Sequence, residues 1–225
     1  ESFSWKPFHH WREVLKVKPL VFSIIVGLSG SLIYVTNGIE WHYSDAVRIA
    51  SLEQINKNPH QCMLGHTESF DGLFTCVLGN ENNIKIVVLG DSHANAITTS
   101  VTEMYDLNSE GVVSITRAGC PFILNAKSNK TGDVCFHENL LRLERIKSHF
   151  SNIPILVISR WPVYLYGQSN PSRVKNNDNR PSIYFGDEKY MDVQNLHSEF
   201  ERNLTESICA LTETSNVYIT QPIPE

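Results

Sequence analysis

The sequence predicts an α/β protein with a doubly wound, mainly parallel sheet that is preceded by one transmembrane helix. Three observations support this prediction: a charge-free apolar run near the start, short β-branched runs after it, and amphipathic helical patterns between those runs. Strands that alternate with helices require right-handed crossovers, which build a parallel sheet with helices on both faces. The chain has 225 residues, of which 41% are hydrophobic and 19% charged. This length suffices for one such core and is too short for two enzymatic domains.

The apolar run lies between Lys18 and Glu40 and contains no charged residue. About 20 residues of helix span roughly 30 Å, the thickness of a hydrocarbon core, so 19–39 is predicted to be a transmembrane helix. The alternatives are a buried core helix and an uncleaved signal peptide, but the run has no polar face and no small-residue cleavage site follows it. Four Lys or Arg residues precede the run and only Arg48 follows closely, which predicts 1–18 as a cytoplasmic flank.

The rest of the chain divides into a polar connection, 40–83, and an α/β domain, 84–225. The predicted elements of that domain are strands at 84–89, 112–116, 155–158 and 217–220 and helices at 94–105, 139–150 and 192–213. A further helix is predicted at 44–56, and a polar excursion covers 161–190. A net charge of -5 without runs of like charge argues against nucleic-acid binding, which uses a basic face.

Two pairs of cysteines each bracket a short polar loop, Cys62 with Cys76 and Cys120 with Cys135. Neither pair has the close spacing of a zinc or redox site, so two disulfides are favoured, with four free thiols as the alternative. Disulfides require an oxidising compartment, which agrees with the charge asymmetry about the apolar run. Cys209 is left over, either as a buried small hydrophobe or as half of a bridge to a residue beyond the end of the chain.

The candidate chemistry lies in Gly-Asp-Ser-His93, which follows the first strand of the α/β domain and opens its first helix. In an open parallel sheet, ligands bind at the carboxyl ends of the strands. There Ser92 lies near a helix N-terminus, where free N–H groups favour a developing negative charge. This position predicts Ser92 as a nucleophile; the alternative is that Asp91 and Ser92 only cap the helix.

Gly-Asp-Ser-His-Ala94 resembles block I of the SGNH (GDSL-like) hydrolase superfamily, whose fold is flavodoxin-like. The chain is similar to the SGNH domains fused behind membrane acyltransferase-3 domains in bacterial O-acetyltransferases of surface polysaccharides. The resemblance extends over nearly the whole chain and includes a last membrane helix with its linker, the loop between Cys62 and Cys76, Ala-Gly-Cys-Pro121, Ser-Arg-Trp161 and Gln-Pro-Ile-Pro-Glu225.

Carried over by position, the resemblance implies Ser92 as the nucleophile and the N–H groups of Ser92 and Gly119 as the oxyanion hole. For Gly119 the alternative is a turn glycine shaped by the disulfide of Cys120. The superfamily's block III asparagine is missing, because Ser-Arg-Trp161 stands at the matching strand end. Arg160 is therefore a candidate donor to the oxyanion or a sugar, and Trp161 a candidate stacking surface for a sugar ring, unless both are structural residues.

A second departure concerns the base and its orienting acid, which the family takes from an Asp-x-x-His motif. That spacing does not occur in this sequence. A serine without a base is a weak nucleophile. We therefore expect the chain to be a C-terminally incomplete fragment whose catalytic histidine and aspartate follow Glu225.

The resemblance implies transfer of an acetyl or other short acyl group, through an acyl-enzyme at Ser92, to a sugar of a cell-surface polysaccharide such as lipopolysaccharide O-antigen. The donor, expected to be acetyl-CoA, would be used by the membrane acyltransferase-3 domain. The protein would lie in the bacterial inner membrane with its catalytic domain in the periplasm, and neither a metal nor a cofactor is implied. The alternatives are a carbohydrate esterase or deacetylase, with water as the acceptor, and a non-catalytic glycan-binding fragment.

Overall fold

A computed structural model describes residues 18–36, 38, 44, 58–66, 68, 72–129, 132–167, 181–187 and 193–221. The chain divides into two units, Glu1–Lys57 and Asn58–Glu225. The first unit contains helix α1 (Lys18–Val35). The helix predicted at 44–56 lies outside the described residues, apart from a single position.

Helix α1 ends at Val35, before the predicted end at 39. The Thr36 hydroxyl donates to the Leu32 carbonyl over 2.8 Å, and the Gly38 N–H donates to the Ile33 carbonyl over 2.8 Å, so these two residues close the last turn. In the part of the chain that the structure describes, no helix is both long enough and apolar enough to cross a membrane. The transmembrane helix predicted at 19–39 is therefore not supported.

The second unit is built on a mainly parallel sheet. The strands found in the described residues are β1 (Met63–Leu64), β2 (Cys76–Gly79), β3 (Ile84–Gly90), β4 (Gly111–Arg117), β5 (Lys127–Ser128), β6 (Ile155–Ile158), β7 (Ile183–Tyr184) and β8 (Val217–Ile219). The main sheet has the order β1-β4-β3-β6-β8, and β2 pairs antiparallel with β4 along the same side as β1. Strands β5 and β7 form a separate antiparallel pair.

Helices cover both faces of the main sheet. They are α2 (Ser92–Thr102), α3 (Val134–His149), α4 (Trp161–Tyr166) and α5 (Val193–Thr212). Adjacent residues of β3 point to opposite faces: Val87 belongs to the core cluster that includes residues of α3, α4 and α5, and Val88 to the cluster that includes residues of α2. Both side chains are fully buried, as expected of a central strand in a two-faced sheet. The predicted α/β fold is confirmed.

The structure differs from the sequence prediction mainly outside the strand-helix core. Strands β1 and β2 lie within 40–83, so part of the predicted connection belongs to the sheet. The predicted excursion 161–190 begins with helix α4 and contains β7; its residues 168–180 and 188–190 lie outside the described residues. These elements are short, and their pairing depends on distant partners, so local periodicity gives little signal for them.

The two predicted cysteine pairs are joined as disulfides, with Cα–Cα distances of 5.3 Å for Cys62–Cys76 and 5.5 Å for Cys120–Cys135. The first connects the residue before β1 to the start of β2, and the second ties the turn after β4 to the first turn of α3. Cys209 is exposed on α5, which rules out its role as a buried hydrophobe.

Mass spectrometry of unreduced peptides is expected to recover Cys62–Cys76 and Cys120–Cys135 as the linked pairs. Each bridge closes a loop of about 15 residues, for which the entropy model gives about 3 kcal/mol of stabilisation. A Cys120→Ala/Cys135→Ala double variant should therefore unfold at lower denaturant concentration, whereas Cys209→Ala should not. Free thiols at all four positions would contradict the pairing.

Candidate active site

Three neighbouring strands end at one edge of the sheet, because Gly90 of β3 pairs with Thr116 of β4 and with Ile158 of β6. Ser92 follows Gly90 closely and is the first residue of α2. Gly119 follows Thr116 in the turn after β4. The fold therefore brings the predicted nucleophile and the predicted oxyanion glycine to the same carboxyl edge, where open parallel sheets bind their ligands.

Gly90 makes the tight exit from β3 possible. Its φ is +149°, and a Cβ added there would lie 1.8 Å from the Ile158 carbonyl oxygen of the neighbouring strand. No side chain fits in that space, so the position requires glycine. Glycine thus allows the chain to leave the sheet and start α2 within two residues.

Asp91 is the N-cap of α2 and is only 1% exposed. One carboxylate oxygen accepts a hydrogen bond from the His93 N–H over 2.8 Å. The other accepts hydrogen bonds from the Arg160 N–H over 2.9 Å and from the Tyr164 hydroxyl over 2.5 Å. The same carboxylate therefore fixes the start of α2 and connects it to the segment that follows β6.

Tyr164 lies on α4 and is buried against Asp91. Burial raises the pKa of the Tyr164 phenol well above its ordinary value, and the negative charge of Asp91 raises it further. The phenol therefore stays protonated and neutral, and its hydroxyl donates a hydrogen bond to the carboxylate. Sequence reasoning missed this contact, because the two residues are 73 positions apart and only the strand order brings them together.

Ser92 is half-buried at the first turn of α2. Among the described residues, no side chain forms a hydrogen bond with its hydroxyl. The neighbouring His93 faces the cap instead, with its Nδ1 3.7 Å from an oxygen of Asp91. His137 is exposed on α3 and packs edge-on against Phe136.

Gly119 has φ +69°, a left-handed conformation that disfavours side chains. A Cβ added at this position would lie 2.4 Å from Cε1 of His66, which follows β1. The imidazole of His66 therefore packs directly over the predicted oxyanion glycine. Sequence reasoning missed His66, since β1 is too short to be recognised from its pattern.

Arg160 and Trp161 follow β6 and open α4. The N–H of Arg160 donates a hydrogen bond to Asp91. The Arg160 side chain stays a candidate for substrate binding. Trp161 is only 7% exposed and packs edge-to-face against Phe200, with ring centroids 6.4 Å apart. This burial in the core favours the structural alternative for Trp161, and its stacking role stays a prediction.

Within the described ranges, no group of three or more His, Cys, Asp or Glu side chains is arranged to hold a metal ion. The residues that the fold brings to the carboxyl edge instead supply a hydroxyl, backbone N–H groups and a buried carboxylate. This set of groups suits nucleophilic acyl chemistry.

Gly119→Ala is expected to destabilise the protein more than a glycine replacement with the same backbone penalty. The left-handed conformation costs about 1–2 kcal/mol for alanine, and the new methyl group would also displace the His66 ring. Gly186, with φ +66° and no atom within 4 Å of its added Cβ, provides the matched control. Equal losses for Gly119→Ala and Gly186→Ala in denaturant unfolding would contradict the packing of His66 over Gly119.

Tyr164→Phe is expected to lower the free energy of unfolding by about 1.5–3 kcal/mol, the typical value for a hydrogen bond to a charged group. The reason is that the variant leaves an oxygen of the buried Asp91 carboxylate with one donor fewer. Tyr218→Phe, at an exposed position on β8, is the control and should change stability by less than about 0.5 kcal/mol. Urea unfolding monitored by circular dichroism measures both.

Comparison with known proteins agrees with this geometry. The family model for the SGNH domain (fused to AT3 domains) matches residues 61–225. No curated protein and no solved structure matches the chain significantly. The matched residues contain the whole sheet and every residue of the candidate site, and they confirm the resemblance seen in the sequence. The chain therefore belongs to the family of SGNH domains that are fused to AT3 domains.

Proposed function

We propose that this domain is an O-acyltransferase that carries an acetyl or other short acyl group on Ser92 and passes it to a sugar hydroxyl of a cell-surface polysaccharide, such as lipopolysaccharide O-antigen. The observation that carries the proposal is the position of Ser92, two residues after the end of β3 at the N-terminus of α2. An attacking hydroxyl at that position has helix N–H groups beside it, where a negative charge develops on the acyl oxygen.

In the first half-reaction, the Ser92 oxygen attacks the carbonyl carbon of the acyl donor. The hydroxyl proton passes to a base, the bond between the acyl group and the donor breaks, and the donor group leaves with a proton. The tetrahedral oxyanion is held by the N–H groups of Ser92 and Gly119. The proposal assigns no base, since no described histidine is hydrogen-bonded to Ser92.

In the second half-reaction, a sugar hydroxyl attacks the carbonyl carbon of the acyl-Ser92 ester. Its proton passes to the base, the ester bond to Ser92 breaks, and Ser92 regains a proton. The same N–H groups hold the second oxyanion. The side chain of Arg160, at the carboxyl edge, is the proposed donor to the sugar.

The proposed setting is the periplasmic side of the bacterial inner membrane. Two disulfides support this setting, because such bonds persist in oxidising compartments. Fusion of the family's SGNH domains to AT3 domains supports a membrane-associated parent protein. We propose that the membrane acyltransferase domain uses acetyl-CoA and delivers the acyl group to Ser92.

Replacement of Ser92 by alanine in the full-length protein should abolish acylation of the polysaccharide, with a loss on the order of 10⁴-fold or more. Since Asp91 rather than Ser92 caps α2, stability should change by less than about 0.5 kcal/mol. Ser100→Ala, at an exposed position on the same helix, is the matched control and should retain activity. Base-labile acyl groups on isolated polysaccharide, quantified by mass spectrometry, are the readout.

Near-normal acylation by Ser92→Ala would overturn the assignment of the nucleophile. Product analysis with and without added glycan separates the transferase from the esterase. A transferase gives acylated glycan in proportion to added acceptor, whereas an esterase releases free acid at a rate that does not depend on it. Exclusive release of free acid would replace the transferase by the esterase.

A further inference from the structure

Three charged side chains are buried behind the carboxyl edge of the sheet. Arg117 is the last residue of β4, and Glu138 and Arg142 lie one turn apart on α3. Arg142 is fully buried, and the other two are nearly so. Buried charges are rare in protein cores unless they are paired, so this group requires an explanation.

Glu138 connects the two arginines. One of its oxygens pairs with Arg142 over 2.8 Å, and the other accepts a hydrogen bond from Nε of Arg117. Burial lowers the pKa of the Arg142 guanidinium, while the negative charge of Glu138 opposes this shift. The three side chains, called the ion network below, carry one net positive charge.

Arg142 extends from this network to the turns that hold the site. Its Nη1 donates to the Cys120 carbonyl over 3.3 Å, and its Nη2 donates to the Gly90 carbonyl over 3.5 Å. Cys120 follows Gly119, and Gly90 precedes the Asp91-Ser92 pair. One guanidinium therefore contacts the backbone of both turns from which the proposed oxyanion donors come.

Arg117 contacts a third segment at the same edge. Its Nη1 donates to the carbonyls of Gly65 and Glu68, over 3.0 and 2.9 Å. These two residues flank His66, whose ring packs over Gly119. The ion network thus contacts both the turn that contains Gly119 and the loop of His66 that packs over this glycine.

Asn139, beside Glu138 on α3, adds to the same arrangement. Its Nδ2 donates to the carbonyls of Pro121 and Ile123, and its Oδ1 accepts a hydrogen bond from Arg142 over 3.0 Å. Most of these contacts end on backbone carbonyls in turns of the site. A core that needed only stability would be served as well by apolar side chains of similar volume.

We propose that the Arg117-Glu138-Arg142 ion network positions the oxyanion site by fixing the turns of Gly90 and Gly119 relative to each other. The three residues are positioning residues, because none of them is placed in contact with the reacting atoms. The inference rests on the proposed nucleophilic role of Ser92.

The test uses a fluorophosphonate probe on the full-length protein in its membranes. Attack by Ser92 forms an oxygen–phosphorus bond, fluoride leaves as the phosphorus–fluorine bond breaks, and the hydroxyl proton passes to the base. The phosphoryl oxygen occupies the oxyanion site, and neither acyl donor nor sugar is needed. Intact-protein mass spectrometry gives the rate constant kinact, the apparent affinity KI and the fraction of protein labelled.

Arg142→Lys keeps the charge but cannot bridge Glu138 and both carbonyls, and Glu138→Gln keeps the shape but removes the bridging charge. For each variant, kinact should fall on the order of 10- to 100-fold, since small misplacements of catalytic groups have effects of this size. KI and the labelled fraction should be unchanged. If Arg142→Lys does not fold, Glu138→Gln provides the same test.

Two controls separate positioning from stability. Arg202→Lys alters an exposed arginine that pairs with Glu199 and Glu206 on α5, and it should label at the normal rate. Ile146→Val removes a methyl group from the buried face of α3, one turn after Arg142, and lowers stability without touching the network. Loss of stability alone reduces the fraction labelled in proportion to the unfolded protein, which circular dichroism measures.

If Ser92 is labelled in the unaltered protein and folded Arg142→Lys or Glu138→Gln has a normal kinact, the positioning role alone is overturned. A reduction in kinact that is matched by Ile146→Val at equal stability would also overturn it. Absence of labelling at Ser92 in the unaltered protein, or equal labelling in Ser92→Ala, would overturn the proposed nucleophile and this inference with it.

Discussion

The buried carboxylate of Asp91 is the interaction on which the rest of the site depends. It accepts hydrogen bonds from the N–H groups of His93 and Arg160 and from the Tyr164 hydroxyl. A buried charge with fewer donors would be costly, so the carboxylate is satisfied only when α2, β6 and α4 are all in place. Since Ser92 follows Asp91 directly, the position of the proposed nucleophile is set by this same condition.

Two further constraints shape the neighbouring turns. Glycine is required at 90 and at 119 because a side chain would collide with the Ile158 carbonyl in the first case and with the His66 ring in the second. The disulfide at Cys120 and the hydrogen bond from Arg142 to the Cys120 carbonyl then hold the second turn against α3. These contacts constrain the edge of the sheet where the proposed acyl transfer needs fixed N–H groups, and such preorganisation lowers the reorganisation needed in the transition state.

Much of this arrangement was predictable from local sequence. The β-branched run before Gly90 indicates a strand buried on both faces, and Gly-Asp-Ser-His93 indicates a tight exit into a helix with Ser92 at its start. The spacing of Cys62, Cys76, Cys120 and Cys135 indicates two local loops, which the fold closes. These features depend on residues close together in the chain, so periodicity, capping and spacing report them directly.

The sequence by itself determined the strand-helix alternation, the place of Ser92 at the carboxyl edge and the family to which the domain belongs. Only the tertiary structure decided that Tyr164 donates to Asp91, that His66 packs over Gly119, that Trp161 belongs to the core, and that Arg142 is fully buried. The physical reason is that each of these contacts crosses between elements that are distant in the chain. An arginine on a helix has the same local pattern whether it faces solvent or, like Arg142, the carbonyls of Cys120 and Gly90, and only the packing of the helix against those turns decides between the two.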